Sequence, residues 1–396
     1  MTATMPVPIF LDLTHTSHTR ARTGIQRVTR SLHAALGANA IALTHDPYLR
    51  AWRPLEPWEQ ANLQADTTAG KRGAHWPFSA KLQGHTGRLL GRTPSLAAQP
   101  SSGIVVPEVF SPTVAAALPA IFAATRGPRI AVFHDAIPLK LPELTPSKTV
   151  ARFPAYLQEL LAFDGIAAVS DDSRDSLVGY WRWLGVARTP PVRTVALGID
   201  RPPPPVQRDA PNSSLPVILS VGSIEGRKNH LALLEACERL WTAGLEFQLQ
   251  LIGLAHPQTG QTALARIREL QARGRPLRYD GPATDAGLEA AYAACAFTVY
   301  PSIMEGFGLP VIESVARGKP CICSARGAVG ESARDGGCIA LERVGADELA
   351  STVRNLLADP AGLAALQAAA LARPFRSWES YAADLREWLR ELPHHA

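Results

Sequence analysis

The stretch Phe297-Thr298-Val299-Tyr300-Pro301-Ser302-Ile303-Met304-Glu305-Gly306-Phe307-Gly308-Leu309-Pro310-Val311-Ile312-Glu313 reads as a strand, a short turn, a glycine-rich loop and the opening of a helix. Residues 297–300 form an apolar run of strand character, while Leu309, Ile312, Val315 and Ala316 recur at helical spacing. Pro310 suits the first helical turn, where its missing N–H would be unpaired in any case, and the remaining N–H groups of that turn suit phosphate or hydroxyl oxygens. Glu305 falls before the helix and Glu313 one turn inside it, so both carboxylates are expected to reach one pocket from different depths. Two spaced acceptors of this kind suit a polyhydroxylated ligand. Read blandly, Glu313 is a solvated helix residue and Glu305 only favours the helix dipole.

A second segment weighs against the bland reading. In Val217-Ile218-Leu219-Ser220-Val221-Gly222-Ser223-Ile224-Glu225-Gly226-Arg227-Lys228-Asn229-His230 an apolar strand ends in a glycine-containing turn that delivers two adjacent cations. A helix follows, with Leu231, Leu234 and Ala236 on one face. Arg227 offers a planar fork and Lys228 a compact charge, a combination suited to a diphosphate at a strand's carboxyl end.

In this order and separation the segments resemble the retaining nucleotide-sugar glycosyltransferases of the GT-B fold, specifically family 4. The resemblance is strongest over residues 217 to 342. There Arg227-Lys228-Asn229, Asp280-Gly281, Pro301-Ser302, Glu305 to Glu313 and Gly318-x-Pro320 fall in register. It extends more weakly over the whole chain: Thr23-Gly24-Ile25-Gln26-Arg27 resembles the family's first glycine-bearing loop, Phe133-His134-Asp135 its first-domain histidine, and Val169-Ser170 a strand end at the cleft. The implied fold is α/β, two Rossmann-like domains facing across a cleft, with a C-terminal helix returning to the first domain.

Length agrees, since 396 residues suit two domains of nearly two hundred each. In the first half, strands are expected at residues 8–13, 104–106, 130–133, 166–169 and 192–195. Ile25, Val28, Leu32 and Leu36 form one face of the first helix. Strands recurring with helices between them indicate a parallel sheet covered on both sides. Arg201-Pro202-Pro203-Pro204-Pro205 breaks the alternation and reads as a semi-rigid linker. The expected division is therefore residues 1–200, a linker at 201–215, a second domain at 216–374 and a returning helix at 375–396.

Five cysteines do not make a disulfide framework in a chain this size. Cys321 and Cys323 alternate within the apolar run from Pro320, which reads as a buried strand rather than a metal site. Residues 1–13 lack a basic region followed by a long apolar core, and no run approaches a membrane span. A cytoplasmic protein is expected, at most peripheral to the membrane. Between Leu49 and Ser95 periodicity is weak: Trp52, Trp58, Trp76 and Phe78 are interleaved with Arg50, Arg53, Lys71, Arg72, Lys81, Arg88 and Arg92. That mixture suits an anionic membrane interface or acceptor, or else a solvated loop with a few packed aromatics. The net charge of +5 is compatible with an anionic surface, and no nucleic-acid-binding motif accompanies it.

The resemblance assigns roles. Arg227 and Lys228 would stabilise the departing diphosphate, and Glu305 with the N–H groups of Gly306, Phe307 and Gly308 would hold the sugar. Glu313 would bind the ribose hydroxyls, and the segment from Tyr279 to Asp285 would border the base. Gly24 and Gly222 would let backbone approach the donor, Leu309 would line its site, and His134 would face the sugar or its phosphate, or be a buried structural histidine. The chemistry implied is retaining transfer of a hexose from a nucleotide sugar to a glycan or lipid-linked acceptor, with no cofactor, no metal and no named enzymic nucleophile. Resemblance to mannosyltransferases of bacterial surface-polysaccharide and lipopolysaccharide assembly points to GDP-mannose. A dehydrogenase is disfavoured because no strand is followed by Gly-x-Gly-x-x-Gly. A catalytically inactive sugar- or nucleotide-binding scaffold of the same fold is the alternative, disfavoured by the joint presence of Arg227, Lys228, Glu305 and Glu313.

Overall fold

The computed structural model describes residues 7–21, 24–65, 74–92, 94, 96, 99–200 and 215–393. The proline-rich stretch, Thr23, Lys71 and Arg72 therefore lie outside the described residues. Two sheets organise the rest. The first runs β3-β2-β1-β4-β5-β6-β7, with β1 at Ile9–Asp12, β2 at Ala40–Asp46, β3 at Ala51–Pro54, β4 at Ile104–Val106, β5 at Arg129–Phe133, β6 at Gly165–Ala168 and β7 at Val192–Thr194. All its pairings are parallel except β2 with β3. The second runs β10-β9-β8-β11-β12-β13, wholly parallel, with β8 at Val217–Val221, β9 at Gln248–Ile252, β10 at Leu277–Tyr279, β11 at Phe297–Tyr300, β12 at Cys321–Ser324 and β13 at Cys338–Leu341. This is the GT-B architecture of two Rossmann-like α/β halves.

Strand order reverses between β1 and β4 in the first sheet and between β8 and β11 in the second. Such switch points open a crevice beyond the carboxyl ends of the strands. The loops after β8 and β11 carry Arg227, Lys228 and Glu305, so topology alone puts both signs of charge in one crevice.

Residues 49–95 depart from the loop expectation. They contain β3, the helix α2 at Pro57–Gln64 and the helix α3 at Phe78–Leu89. Trp52 is buried and its indole N–H donates to the Ala117 carbonyl at 2.9 Å. Arg53 is buried too, paired with Glu59 at 2.7 Å and Asp46 at 3.1 Å, and Glu59 also meets His18 Nε2 at 2.7 Å. Trp76 stacks on the His18 ring at 3.9 Å between centroids. Among the described residues a buried ion-pair network, not a solvated loop, holds β3 and α2; charges in a core hide the apolar period from which helices and strands are read.

The last helix, Trp378–Glu391, lies against the first domain, following the first helix, α1 at Gly24–Leu36. Trp378, Tyr381, Leu385, Trp388 and Leu389 share one core cluster with Ile9, Leu11, Val28, Leu32 and Val132. Gly165 gives this helix its seat, because a Cβ there would fall 2.7 Å from Leu392 and 3.1 Å from Trp388. Trp388→Ala is expected to cost about 3–5 kcal/mol, the usual range for deleting a buried indole. Thermal denaturation reads this directly, and an unchanged melting temperature would show that the helix is not part of the first domain's core.

Candidate functional site

The site grows out of the turn after β8. Gly222 takes φ +153°, and the chain then makes a single 3-10 turn at Gly226–Lys228, closed by Asn229 in the left-handed region at φ +57°. The loop after β11 is tied to this turn: Ile303 N donates to Arg227 O at 2.8 Å, and Ser302 Oγ to the same carbonyl at 3.2 Å. The two loops therefore behave as one unit that presents three charged side chains together.

Glu305 stands between the cations, with Oε1 2.6 Å from Lys228 Nζ and Oε2 2.7 Å from an Arg227 terminal nitrogen. Ser302 Oγ also donates to Glu305, and Arg227 reaches Glu225 at 2.8 Å. Lys228 donates to the Tyr300 hydroxyl and sits 4.7 Å from the centre of its ring. Burial by itself would raise the Glu305 carboxyl, but the charges of Lys228 and Arg227, with hydrogen bonds from Lys228 and Ser302, hold it down at about 2. Burial also lowers the Lys228 ammonium, opposed by Glu305. Glu305 is thus the counter-ion of the two cations, a role that reading it as a sugar ligand leaves out.

Glu313 likewise has a partner. It lies in the helix Leu309–Ala316, almost buried, and bonds to the guanidinium of Arg27 on α1, which belongs to the other half of the molecule. The helix starts at Gly308, which takes φ +99°. Among the described residues no acceptor meets the N–H groups of Gly306, Phe307 or Gly308, whereas the first two carbonyls are engaged. Gly306 O accepts from Ser170 Oγ at 2.7 Å and Ser173 Oγ at 3.3 Å, and Phe307 O from Ser332 Oγ at 2.5 Å.

The first domain closes over this loop. A Cβ on Gly306 would lie 2.3 Å from the His134 carbonyl oxygen, so only glycine lets the two loops meet. The Phe307 and Leu309 side chains pack against the first domain's core rather than facing an open site. Glu331 accepts from the first two amides of the helix Asp171–Trp183, at 2.9 and 2.7 Å, an anion at a positive helix end. His134 is buried, and its Nε2–H donates to the Pro107 carbonyl at 2.7 Å; burial depresses its pKa. Beside it Asp135 is half-buried, with a carboxyl raised by desolvation and eased back by Arg227.

Among the residues singled out from the sequence, Arg227, Lys228, Glu305 and Gly222 are brought together, with Gly306 to Gly308 and the His134 backbone close by. Gly24 opens α1 and is exposed, and a Cβ there would meet nothing within 4 Å, so no steric need for glycine is visible. Asp285 stands exposed in the first turn of the helix Asp285–Ala294, beyond the edge strand β10 and separated from β8 by β9. Arg27, Asp135, Tyr300 and Ser302 were not singled out. Arg27 lies in the first glycine-bearing loop motif and Asp135 directly after His134, so position beside a motif was the available signal.

Two Rossmann-like halves whose facing loops carry a buried Arg–Lys–Glu cluster beside open backbone N–H groups define the GT-B class of nucleotide-sugar transferases. Residues 206–391 match the glycosyl transferases group 1 family model. It is similar to O-antigen chain mannosyltransferase B of Escherichia coli, 29% identical over 266 residues that cover 63% of this chain and 67% of that one. The serotype-specific mannosyltransferase WbdA of Escherichia coli is 25% identical over 332 residues, 79% of this chain but 38% of WbdA, so the chain spans well under half of that relative. A sucrose-phosphate synthase from Thermosynechococcus elongatus shares the fold, with a TM-score of 0.69 at 19% identity over 98% of this chain and 99% of that one.

Removing the counter-ion tests the cluster. Glu305→Gln is expected to lose about 3–5 kcal/mol of stability at neutral pH, because the buried Lys228 ammonium is left without a carboxylate and Arg227 keeps only Glu225. The folded carboxyl near 2 lies below the ordinary 4.5, so its contribution is present above 4.5 and lost as pH falls toward 2. Melting temperatures of wild type and variant should therefore converge on acidification, and equal values already at neutral pH would refute the cluster. A second variant tests the bridge between the halves. If a nucleotide must take Glu313 from Arg27, Arg27→Ala should tighten binding of a bare nucleoside diphosphate several-fold by calorimetry, and weaker binding would mean that Arg27 itself holds the ligand.

Proposed function

We propose that the protein transfers a mannosyl residue from GDP-mannose to a glycan or lipid-linked saccharide, with retention of anomeric configuration and without a metal ion. The observation that carries the reading is the pairing of Arg227 and Lys228 around Glu305 at the switch point of the second sheet. The mannosyl and polysaccharide terms rest on the similarity to the two Escherichia coli mannosyltransferases.

The chemistry follows from what these groups do when a diphosphate arrives. Its oxygens compete with Glu305 for the two cations, and charge develops on the leaving phosphate as the sugar–oxygen bond breaks. Arg227 and Lys228 oppose that charge most strongly in the transition state, in a site from which water is largely excluded. Metal independence belongs to the proposal for the same reason: two fixed cations supply the stabilisation that a divalent ion gives elsewhere. Glu305, displaced by the phosphates, can turn to the sugar hydroxyls, and the N–H groups of Gly306 to Gly308, which meet no acceptor among the described residues, are free to donate to them. Glu313, once released by Arg27, can accept from the ribose. The leaving phosphate takes the acceptor's proton on the face it departs from, so the new bond forms on that face.

His134 bears its proton on the nitrogen that already serves Pro107, so it orients the loop and is not the proton donor. Asp135, beside it, interacts with the charge of Arg227.

A panel of nucleotide sugars tests the proposal. GDP-mannose should raise the melting temperature more than UDP-glucose or UDP-N-acetylglucosamine at equal concentration, since a ligand bound only by the native state stabilises by its concentration relative to Kd. With a mannose-terminated acceptor, NMR of the product should show the donor's own α configuration. Arg227→Ala and Lys228→Ala should each lower transfer by roughly tenfold or more, a charged contact being worth about 1.5–3 kcal/mol. Stabilisation by a UDP-sugar alone would overturn the donor, and an inverted product would overturn the mechanism.

A further inference from the structure

We infer that α3 is a membrane-docking helix that seats the first domain on an anionic lipid surface. The helix is attached by its smallest residues: Ala80 and Gly84 are buried, and a Cβ on Gly84 would fall 2.7 Å from Tyr48 Cβ and 3.1 Å from the Leu49 amide. Gly87 faces Leu49 in the same way, at 3.2 Å. The opposite side is apolar and turned to solvent. Phe78 is 80% exposed, Leu82 54% and Leu89 85%, and the following Leu90 is 64% exposed. Phe78, Leu82, His85 and Leu89 fall at i, i+4, i+7 and i+11, one continuous stripe on a helix. An amphipathic helix in a water-soluble core does the reverse, burying its apolar stripe.

Charge complementarity identifies what covers this face. Lys81 and Arg88 flank the stripe on one side, Arg92 follows just beyond the helix end, and from Ala74 to Pro107 the sequence has no Asp or Glu. Lys81 lies 5.8 Å above the Tyr48 ring, while Arg88 and Arg92 are exposed. An apolar stripe bordered by basic residues matches the acyl–headgroup boundary of an anionic leaflet, where the stripe enters the acyl region and the cations meet lipid phosphates. A protein partner with an apolar patch would give no reason for the missing acidic residues. No helix among the described residues is long and apolar enough to cross a membrane, so contact through α3 would be of the surface type.

The location gives the contact a use. α3 packs on the loop that follows β2, and β2 runs parallel to β1, so the helix stands on the rim where the first sheet presents its strand ends to the cleft. Docking there brings the acceptor side of the cleft to the lipid surface, which, on the glycosyltransferase reading, is where a lipid-linked saccharide would enter. The structure also narrows the sequence expectation for residues 50–95. Trp52, Trp58 and Trp76 belong to the internal packing, and the docking residues are Phe78, Leu82, Leu89, Arg88 and Arg92.

Vesicle sedimentation of the full chain, with no sugar present, tests the inference apart from the transfer reaction. Wild type should bind vesicles containing phosphatidylglycerol, bind pure phosphatidylcholine weakly, and be released by salt. Arg88→Gln with Arg92→Gln should reduce partition about thirty-fold, the factor that about 1 kcal/mol per basic residue implies. Leu82→Ser with Leu89→Ser should also abolish binding, with the melting temperature and donor hydrolysis in solution kept. Equal partition of wild type and the arginine variant would overturn the proposal. So would an oligomer that becomes monomeric when Leu82 and Leu89 are replaced while vesicle binding stays unchanged, because the face would then be covered by a second copy.

Discussion

Everything at the proposed site depends on an ionised Glu305 held between Arg227 and Lys228 in a largely shielded crevice. Two cations side by side in a low-dielectric crevice repel one another and lose their hydration, and either effect alone is worth several kcal/mol. A carboxylate between them removes most of both penalties. The cluster can exist only where two loops meet, and the hydrogen bonds from Ile303 and Ser302 to the Arg227 carbonyl fix that meeting. Strand order in turn fixes the loops, since β8 and β11 are hydrogen-bonded neighbours, Ile218 facing Phe297, although they are far apart in sequence. Electrostatics and topology are therefore one constraint read at two scales.

The halves of the molecule are joined by few but directional contacts. Ser170 and Ser173 bind the Gly306 carbonyl, Glu331 binds the amides of Asp171 and Asp172, and Arg27 binds Glu313. Each is a polar contact that a small rotation would break, and each except the Glu331 contact touches the loop or helix that carries the site. The apolar part, Phe307 and Leu309 against the first domain's core, adds non-directional attraction that tolerates sliding.

Much of this was legible in the sequence because the period of hydrophobicity is short and the loops are rich in glycine. The strands expected at 104–106 and 130–133 lie at Ile104–Val106 and Arg129–Phe133, and the strand–loop–helix reading of 297–313 matches β11 and the helix Leu309–Ala316. The residues between Ala51 and Leu89 were not legible, for two opposite reasons. Arg53 and Glu59 are charged yet buried, so they interrupt the apolar pattern from inside the core. In α3 the apolar residues face outward and the glycines inward, so the pattern points the wrong way. The Arg27–Glu313 bond joins residues 286 positions apart, and nothing local to either residue announces it.

Both glutamates proposed to meet the donor are thus already satisfied by protein cations, and this determines how a donor binds. An arriving diphosphate and ribose exchange partners with Glu305 and Glu313 rather than filling empty positions, so the charge–charge energy gained at each contact is offset by the contact it replaces. Net affinity for the nucleotide part is then modest even though the individual interactions are strong. What the exchange provides is selectivity between ground state and transition state. A carboxylate competes well with a diphosphate of ordinary charge but poorly with one on which further charge is accumulating, so Arg227 and Lys228 shift most fully to the leaving group at the moment of bond cleavage. That differential is the only part of the binding energy that speeds the chemical step.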